Sequence, residues 1–161
     1  MKTLKYFLFI GSVIVALSSC DKTRVFEENK DLPNKEWFID SIAVFNIDLK
    51  ENQDPLNICF TVRNTSDYPF CNLYVRYYLE DSLGKQIASR QTEMTLMDPK
   101  TGKPFGKGLT DIYSHVFVAE NDFKFPYKGK YRIRLKQYMR ENPLKELVSI
   151  GVRLETISKE K

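Results

Sequence analysis

The fold is decided by residues 56–81, LNICFTVRNTSDYPFCNLYVRYYLED, in which two alternating runs flank a turn-rich segment. Every second side chain is apolar over 56–62 and again over 73–79. Successive side chains of a β-strand point to opposite faces, so each run predicts a strand with one apolar face. Residues 64–69 supply Asn, Ser, Asp and Pro for a turn between them. The order of these features favours a hairpin of two neighbouring strands.

The same period-two pattern recurs along most of the chain. It predicts further strands over 45–49, 131–135 and 148–154, and weaker ones over 87–97 and 112–118. Seven or more strands that are apolar on one face bury that face by packing as two sheets. We therefore predict an all-β fold, a two-sheet antiparallel β-sandwich of immunoglobulin-like or jelly-roll-like type. The Cys–Trp–Cys pattern of true immunoglobulin domains is missing from the sequence.

The first 19 residues are typical of a cleaved lipoprotein signal peptide. Lys2 and Lys5 accompany an apolar stretch at 6–17, which is too short for a bilayer core that takes about 20 helical residues. LSSC at 17–20 matches the bacterial lipobox, whose cysteine receives diacylglycerol and then N-acyl chains. We therefore predict that Cys20 is the lipidated first residue of the mature protein, because two or three acyl chains anchor a protein durably.

The predicted mature chain divides into a lipidated tether at 20–35 and a single sandwich domain at 36–161. Removal of Lys2 and Lys5 with the signal lowers the formal net charge from +4 to +2, which gives no argument for a nucleic-acid partner. The residues after Cys20 are Asp21-Lys22-Thr23-Arg24, without the acidic cluster associated with lipoprotein export to the cell surface. This favours the outer membrane with the protein facing the periplasm.

No constellation in the sequence indicates catalysis. His115 is the single histidine, which excludes a multi-histidine metal site and favours a packing role or solvent exposure. GKPFGKGLT at 102–110 is similar to a phosphate loop, but its glycine spacing is one residue short and Gly108 stands where Ser or Thr is required. No pair of carboxylates is nominated for glycoside hydrolysis. We therefore expect no enzyme activity, no metal and no cofactor.

One predicted strand presents a basic face outward. The residues are Lys130, Arg132, Arg134 and Lys136. Such a row is typical of a solvated face or of an edge strand that charge protects from aggregation. The alternative is a docking face for an acidic partner or an anionic polysaccharide.

Three aromatic residues are candidates for sugar binding, because flat rings stack on sugars. They are Trp37, Tyr74 and Tyr78. The competing interpretation is that these rings pack in the core or along a strand face.

Cys59 and Cys71 are predicted not to form a disulfide. In the hairpin expected for 56–79, Cys59 faces Arg76, and Cys71 lies five residues further, roughly 17 Å away at ~3.4 Å per residue. A disulfide needs Cα atoms within about 7 Å. The competing case is a connection that crosses between the two sheets and brings the cysteines together.

Five stretches resemble a known family. They are SCDKTRVFEE at 19–28, NTSDYPFCNLYVRYYLED at 64–81, GKGLTDIY at 106–113, FPYKGKYRIRLKQYMR at 125–140 and VSIGVRLE at 148–155. In this order they resemble the gliding-motility lipoprotein GldH family of the Bacteroidota. The resemblance implies an envelope lipoprotein that works with gliding or type IX secretion proteins, and it brings no catalytic residue.

Two serines lie in the Asp-Ser-apolar pattern that serves as an O-glycosylation acceptor in this phylum. They are Ser82, in a predicted exposed turn, and Ser41. The function expected from all these features is a non-enzymatic, lipid-anchored component of the gliding machinery that acts through protein–protein contacts. The alternative function is a surface glycan-binding lipoprotein.

Overall fold

The computed structural model describes residues 23–50 and 55–157, and the predicted signal peptide and Cys20 lie outside them. The described residues form eleven strands: β1 (Arg24–Asp31), β2 (Glu36–Trp37), β3 (Ala43–Leu49), β4 (Leu56–Thr65), β5 (Asn72–Asp81), β6 (Gln86–Thr95), β7 (Lys107–Leu109), β8 (Ile112–Phe123), β9 (Gly129–Gln137), β10 (Leu144–Lys145) and β11 (Leu147–Thr156). A single turn of 3₁₀ helix lies at Pro33–Lys35. In this part of the chain no helix is long and apolar enough to cross a bilayer.

Two antiparallel sheets form the body of the domain. One has five strands in the order β1-β11-β4-β8-β7, and the other has four in the order β3-β9-β5-β6. The short strands β2 and β10 form a separate two-stranded ribbon. The predicted all-β, two-sheet antiparallel sandwich is confirmed, and all seven strands predicted from the alternation are present.

The apolar face of each sheet is buried against the other. On β9 the buried residues Tyr131, Ile133 and Leu135 alternate with residues that reach solvent, as the period-two pattern predicts. Phe60 of β4 and Tyr77 of β5 meet edge to face across the core, with ring centroids 5.5 Å apart. The Tyr77 hydroxyl donates a hydrogen bond to Glu120 of the opposite sheet, so the sheets are also joined by a polar contact.

The hairpin predicted for 56–79 is wrong. β4 pairs with β11 and β8, whereas β5 pairs with β9 and β6 in the other sheet. The link between β4 and β5 crosses the edge of the sandwich around Tyr68, which is buried and donates its hydroxyl to the carbonyl of Asn72 at 3.0 Å. The Tyr68 ring packs on Phe70 with centroids 5.9 Å apart. The turn residues therefore form an apolar corner between sheets rather than a tight hairpin turn.

The two cysteines remain separate free thiols despite this crossing. Cys59 lies on the outer face of the five-stranded sheet, as predicted, but it is fully buried there beside Glu155. Burial, and then the Glu155 carboxylate, raise the pKa of the Cys59 thiol to about 11, although Arg153 opposes them. Cys71 lies half-buried before β5, where its carbonyl accepts the backbone N–H groups of Leu96 and Met97.

The predicted domain boundary at residue 36 is too late, because the predicted tether contains β1. This strand is the edge of the five-stranded sheet and pairs with β11 over most of its length. Its inner face carries Phe26, Glu28 and Lys30. Lys30 and Glu28 form an ion pair, with Lys30 Nζ 3.0 Å from Glu28 Oε1. The Lys30 ammonium lies over the Phe45 ring. Inward-pointing charges protect an edge strand from pairing with other chains. They also interrupt the apolar alternation, which is why the sequence pattern did not predict this strand.

Gly151 lets the three strands β1, β11 and β4 share a hydrogen bond. The Thr61 hydroxyl donates to Asn29 Oδ1 at 2.6 Å, directly over the Gly151 backbone. A Cβ atom at Gly151 would lie 2.2 Å from Asn29 Oδ1 and 2.3 Å from Thr61 Oγ1. Only glycine leaves room for this contact.

Gly151→Ala is therefore expected to lower the free energy of unfolding by about 1–3 kcal/mol, the usual effect of an overpacked site. Urea unfolding of residues 21–161 would measure it. Replacing both Asn29 and Thr61 by alanine in the Gly151→Ala background should recover part of the loss. An unchanged unfolding midpoint for Gly151→Ala would contradict the steric argument.

Candidate partner-binding face

The predicted basic row lies on the outer face of the four-stranded sheet. Its residues alternate with the buried side of β9, and Lys130 and Arg132 are exposed whereas Arg134 and Lys136 are half-buried. β9 runs between β3 and β5, so it is an interior strand. The interpretation of this row as a charge-protected edge strand is therefore wrong, and its charges belong to a broad sheet face.

The neighbouring strand β5 enlarges this row. Arg76 lies opposite Lys136, Tyr78 opposite Arg134 and Glu80 opposite Arg132. We define the basic face as these residues together: Arg76, Tyr78, Glu80, Lys130, Arg132, Arg134 and Lys136. The alternation of β5 already pointed Arg76 and Glu80 outward, but only the pairing of β5 with β9 brings them beside the row.

Glu80 holds the centre of the basic face together. Its carboxylate forms an ion pair with Arg134 and lies 3.8 Å from the guanidinium of Arg132. The Glu80 side chain is only 11% exposed, so this carboxylate is largely shielded from water. Asp48 of β3 lies opposite Lys130 on the same outer face. Five cations therefore stand against one shielded and one exposed carboxylate, which leaves the face with a net positive charge.

The ring of Tyr78 is flanked by two guanidinium groups. The Arg134 guanidinium lies 5.0 Å from the ring centroid, and that of Arg76 lies 5.6 Å from it. Both distances are within the range of a cation–π interaction, which favours a fixed orientation of the two arginines. The arginines are therefore pre-positioned on the face rather than free in solvent.

The structure separates the three predicted sugar-stacking residues. Trp37 is fully buried and donates its indole N–H to the carbonyl of Ser41 at 2.7 Å, so its proposed stacking on sugars is wrong. Tyr78 has its ring flanked by guanidinium groups. Of the three, Tyr74 alone lines a groove.

This groove lies beside the start of β5 and has a volume of about 550 Å³. Its lining residues are Phe70, Tyr74, Tyr138, Met139, Arg140 and Glu141. The Tyr138 backbone N–H donates to the carbonyl of Tyr74 at 2.8 Å, which holds the two sides of the groove together. A hydrogen bond to Glu93 raises the pKa of the Tyr74 phenol, with burial as a smaller cause. The sequence pattern did not predict this groove, because its two sides are 60 or more residues apart in the chain and only the fold brings them together.

The two candidate acceptor serines are both exposed, at opposite ends of the sandwich. Ser82 lies in the turn that joins β5 to β6, and Ser41 lies in the link before β3. Their glycosylation stays a prediction.

His115 has the packing role that its sequence position suggested. It is buried, with Nε2 2.9 Å from Asn64 Oδ1 and its ring stacked on Phe117. Burial lowers the pKa of the His115 imidazole, which favours the neutral form at pH 7. Three residues of the phosphate-loop-like stretch, Lys107–Leu109, form β7, which pairs with β8 instead of forming an anion cradle. Among the described residues, no three His, Cys, Asp or Glu side chains lie where they could hold a metal ion.

Comparison with known proteins places this sandwich in a family. The family model described as GldH lipoprotein matches residues 24–154, from the start of β1 almost to the end of β11. The chain belongs to the GldH lipoprotein family. The resemblance inferred from the sequence is thereby confirmed, and the matched range agrees with a domain that begins at β1.

Two curated relatives of the GldH family cover nearly the whole chain. Gliding motility lipoprotein GldH of Flavobacterium johnsoniae is 31% identical over 149 residues, which span 88% of this chain and 90% of the relative. A gliding motility lipoprotein GldH homolog of Christiangramia forsetii is 30% identical over 156 residues, which span 92% of this chain and 93% of that protein.

A solved structure shows only a weak likeness. A family GH115 4-O-methyl-α-glucuronidase is 12% identical with a TM-score of 0.43, and the match covers 89% of this chain and 19% of the enzyme.

The role of Glu80 in the basic face can be tested by removing its charge. Glu80→Gln is expected to lower the free energy of unfolding by about 1 kcal/mol, because two neighbouring guanidinium groups lose their counter-charge. Asp67→Asn, at an exposed position in the link before β5, makes the same change in net charge and is the matched control. Equal urea midpoints for the two variants would show that the carboxylate does not hold the face together.

Proposed function

We propose that this GldH-family chain is a lipid-anchored cell-envelope protein that supports gliding or type IX secretion machinery without catalysing a reaction. It is held on the outer membrane through diacylglycerol and N-acyl chains on Cys20, and it faces the periplasm. Two observations support this proposal: the lipobox at 17–20 and the names of the relatives, which are gliding motility lipoproteins.

The partner-binding part of the proposal rests on the basic face. Five cations lie on two neighbouring strands, with two of them fixed against Tyr78 and one shielded carboxylate between them. Such a surface suits an acidic patch on a partner protein, because opposite charges guide the encounter and exclude other partners. Arginine and tyrosine are also enriched where binding energy is concentrated in protein interfaces.

The non-enzymatic part rests on the surroundings of Cys59 and His115, because a thiol and an imidazole are groups that act as nucleophile and base in enzymes. The Cys59 thiol is buried and has a pKa of about 11, so it is protonated at neutral pH. His115 contacts an amide and an aromatic ring rather than a nucleophile. The glycan-binding alternative has less support than protein binding, because Trp37 is buried and Tyr78 is flanked by two arginines.

Anchoring is tested by Cys20→Ala. The variant is expected to incorporate no labelled fatty acid and to keep its signal peptide, because the lipid must be attached before the cut. Labelling in cells followed by mass determination of the membrane fraction would measure both. Labelled fatty acid on the variant, or a soluble wild-type protein cut before Cys20, would contradict the proposal.

Partner binding is tested by charge reversal at two lysines of the basic face that do not pair with Glu80. Cross-linking in native membranes followed by pull-down should recover a partner protein with the wild type. Recovery with Lys130→Glu/Lys136→Glu should fall by about tenfold or more, because like charges then meet in the interface. Lys100→Glu/Lys103→Glu, in an exposed loop between β6 and β7, is the matched control. Equal recovery with both double variants would contradict the assignment of the face.

A further inference from the structure

The first strand begins very close to the predicted lipid anchor. β1 begins at Arg24, four residues after Cys20. Because an extended chain advances at most ~3.6 Å per residue, this segment spans no more than about 14 Å. The start of β1 is therefore held near the membrane surface. This reasoning rests on the proposed lipidation of Cys20.

The register shows which parts of the sandwich share an end with the start of β1. The paired residues at that end are Arg24 with Glu155, Thr156 with Leu56, Leu56 with Phe123, Leu49 with Gly129 and Asp81 with Tyr131. The β5–β6 turn at 82–85 and the β8–β9 link at 124–128 therefore lie at the same end. We call this the anchor-proximal end. The opposite end carries the groove beside Tyr74.

An almost fully exposed leucine projects from the anchor-proximal end. Leu83, in the β5–β6 turn, is 91% exposed, the largest value among the exposed apolar residues of the described chain. The turn is well ordered, because the Asp81 carboxylate accepts the backbone N–H groups of Leu83 and Lys85, each at 2.9 Å. Gly84 adopts φ +80°, which a glycine accommodates without strain. A rigid turn thus holds an apolar side chain away from the protein.

The same carboxylate ties the turn to the neighbouring link. Burial alone would raise the pKa of Asp81, but hydrogen bonds from the Lys85 backbone, the Tyr127 hydroxyl and the Leu83 backbone lower it. Tyr127 is 41% exposed and stacks on Tyr131. A tyrosine with an apolar ring and a hydrogen-bonded hydroxyl suits the boundary between headgroups and acyl chains. Leu83 and Tyr127 therefore form one connected tip.

Further apolar and basic side chains surround this tip. The exposed apolar residues near it are Val25 and Ile157, and the exposed lysines of the surrounding links are Lys50, Lys85, Lys124 and Lys128. Lysines near a bilayer are attracted to anionic headgroups. Asp48, which forms an ion pair with Lys50, and the exposed Asp122 oppose part of this charge. Contact of this end with a membrane therefore depends mainly on the apolar tip and the short anchor segment.

We propose that the anchor-proximal end rests on the bilayer that holds Cys20, with Leu83 and Tyr127 in the headgroup region. The strands then stand away from the membrane, and the groove beside Tyr74 lies at the distant end. Of the two acceptor serines, Ser82 is next to the membrane and Ser41 faces the periplasm. A sugar on Ser82 is incompatible with this arrangement.

Tryptophan quenching tests the orientation. Mature lipidated protein is reconstituted into vesicles of phosphatidylethanolamine and phosphatidylglycerol with brominated acyl chains, which quench nearby indoles. The native Trp37 is fully buried and gives a constant background. Leu83→Trp should lose about half or more of its added fluorescence, because an interfacial side chain lies roughly 5–10 Å deep. Gln91→Trp, beside the basic face, and Phe105→Trp, at the distant end, are matched controls at exposed positions and should lose none.

Each other outcome contradicts a defined part of the proposal. Quenching at residue 91 would place the basic face on the membrane, and quenching at residue 105 would invert the domain. An unquenched Leu83→Trp in protein whose mass shows acylated Cys20 would overturn the orientation while leaving the anchoring intact. A mass without acyl chains would overturn the anchoring, and the orientation with it. Hexose on Ser82 in the native protein would also overturn the orientation.

Discussion

Each sheet of this protein has one apolar face, and only the other sheet can cover it. The contact of Phe60 with Tyr77 lies at this junction, and it joins strands that follow one another in sequence but lie in different sheets. The nine strands of the two sheets cannot bury their inner faces as a single layer, so the chain repeatedly crosses from sheet to sheet. This crossing determines which strands become neighbours in each sheet, and therefore which residues lie together on its outer face.

The basic face is a direct consequence of that arrangement. β5 and β9 are separated by about 50 residues in sequence, yet their pairing places Arg76 beside Lys136 and Glu80 beside Arg132. Like charges on adjacent strands repel, and the sheet tolerates them here because Glu80 and the Tyr78 ring offset the repulsion. The remaining repulsion between these cations is unfavourable in the unbound protein, and an acidic partner would reduce it. This is the physical reason for connecting the face to binding rather than to stability.

The alternation of side chains was sufficient to predict the seven main strands and the outward direction of the four cations on β9, because burial on one face imposes period two. It was insufficient for the edge strand β1, because the inner face of that strand carries one aromatic residue, Phe26, and otherwise charged residues. It also misplaced the partner of β4, since a turn-rich segment reads the same whether it joins one sheet or crosses between two. The burial of Trp37 was also not predictable from the alternation. Its indole N–H donates to the Ser41 carbonyl, so the ring can be buried without leaving a polar group unpaired, and no sequence pattern indicates this contact.

The length of the strands gives the orientation of the domain a functional consequence. β4 has ten residues and so spans roughly 30 Å at ~3.4 Å per residue. With the anchor-proximal end on the bilayer, the basic row on β9 runs along the membrane normal, and the groove beside Tyr74 lies about one strand length from the lipid. A partner that binds both the row and the groove is then held upright beside the sandwich. Because the anchor segment is short and the sheets are rigid, the fold sets the height at which that partner stands.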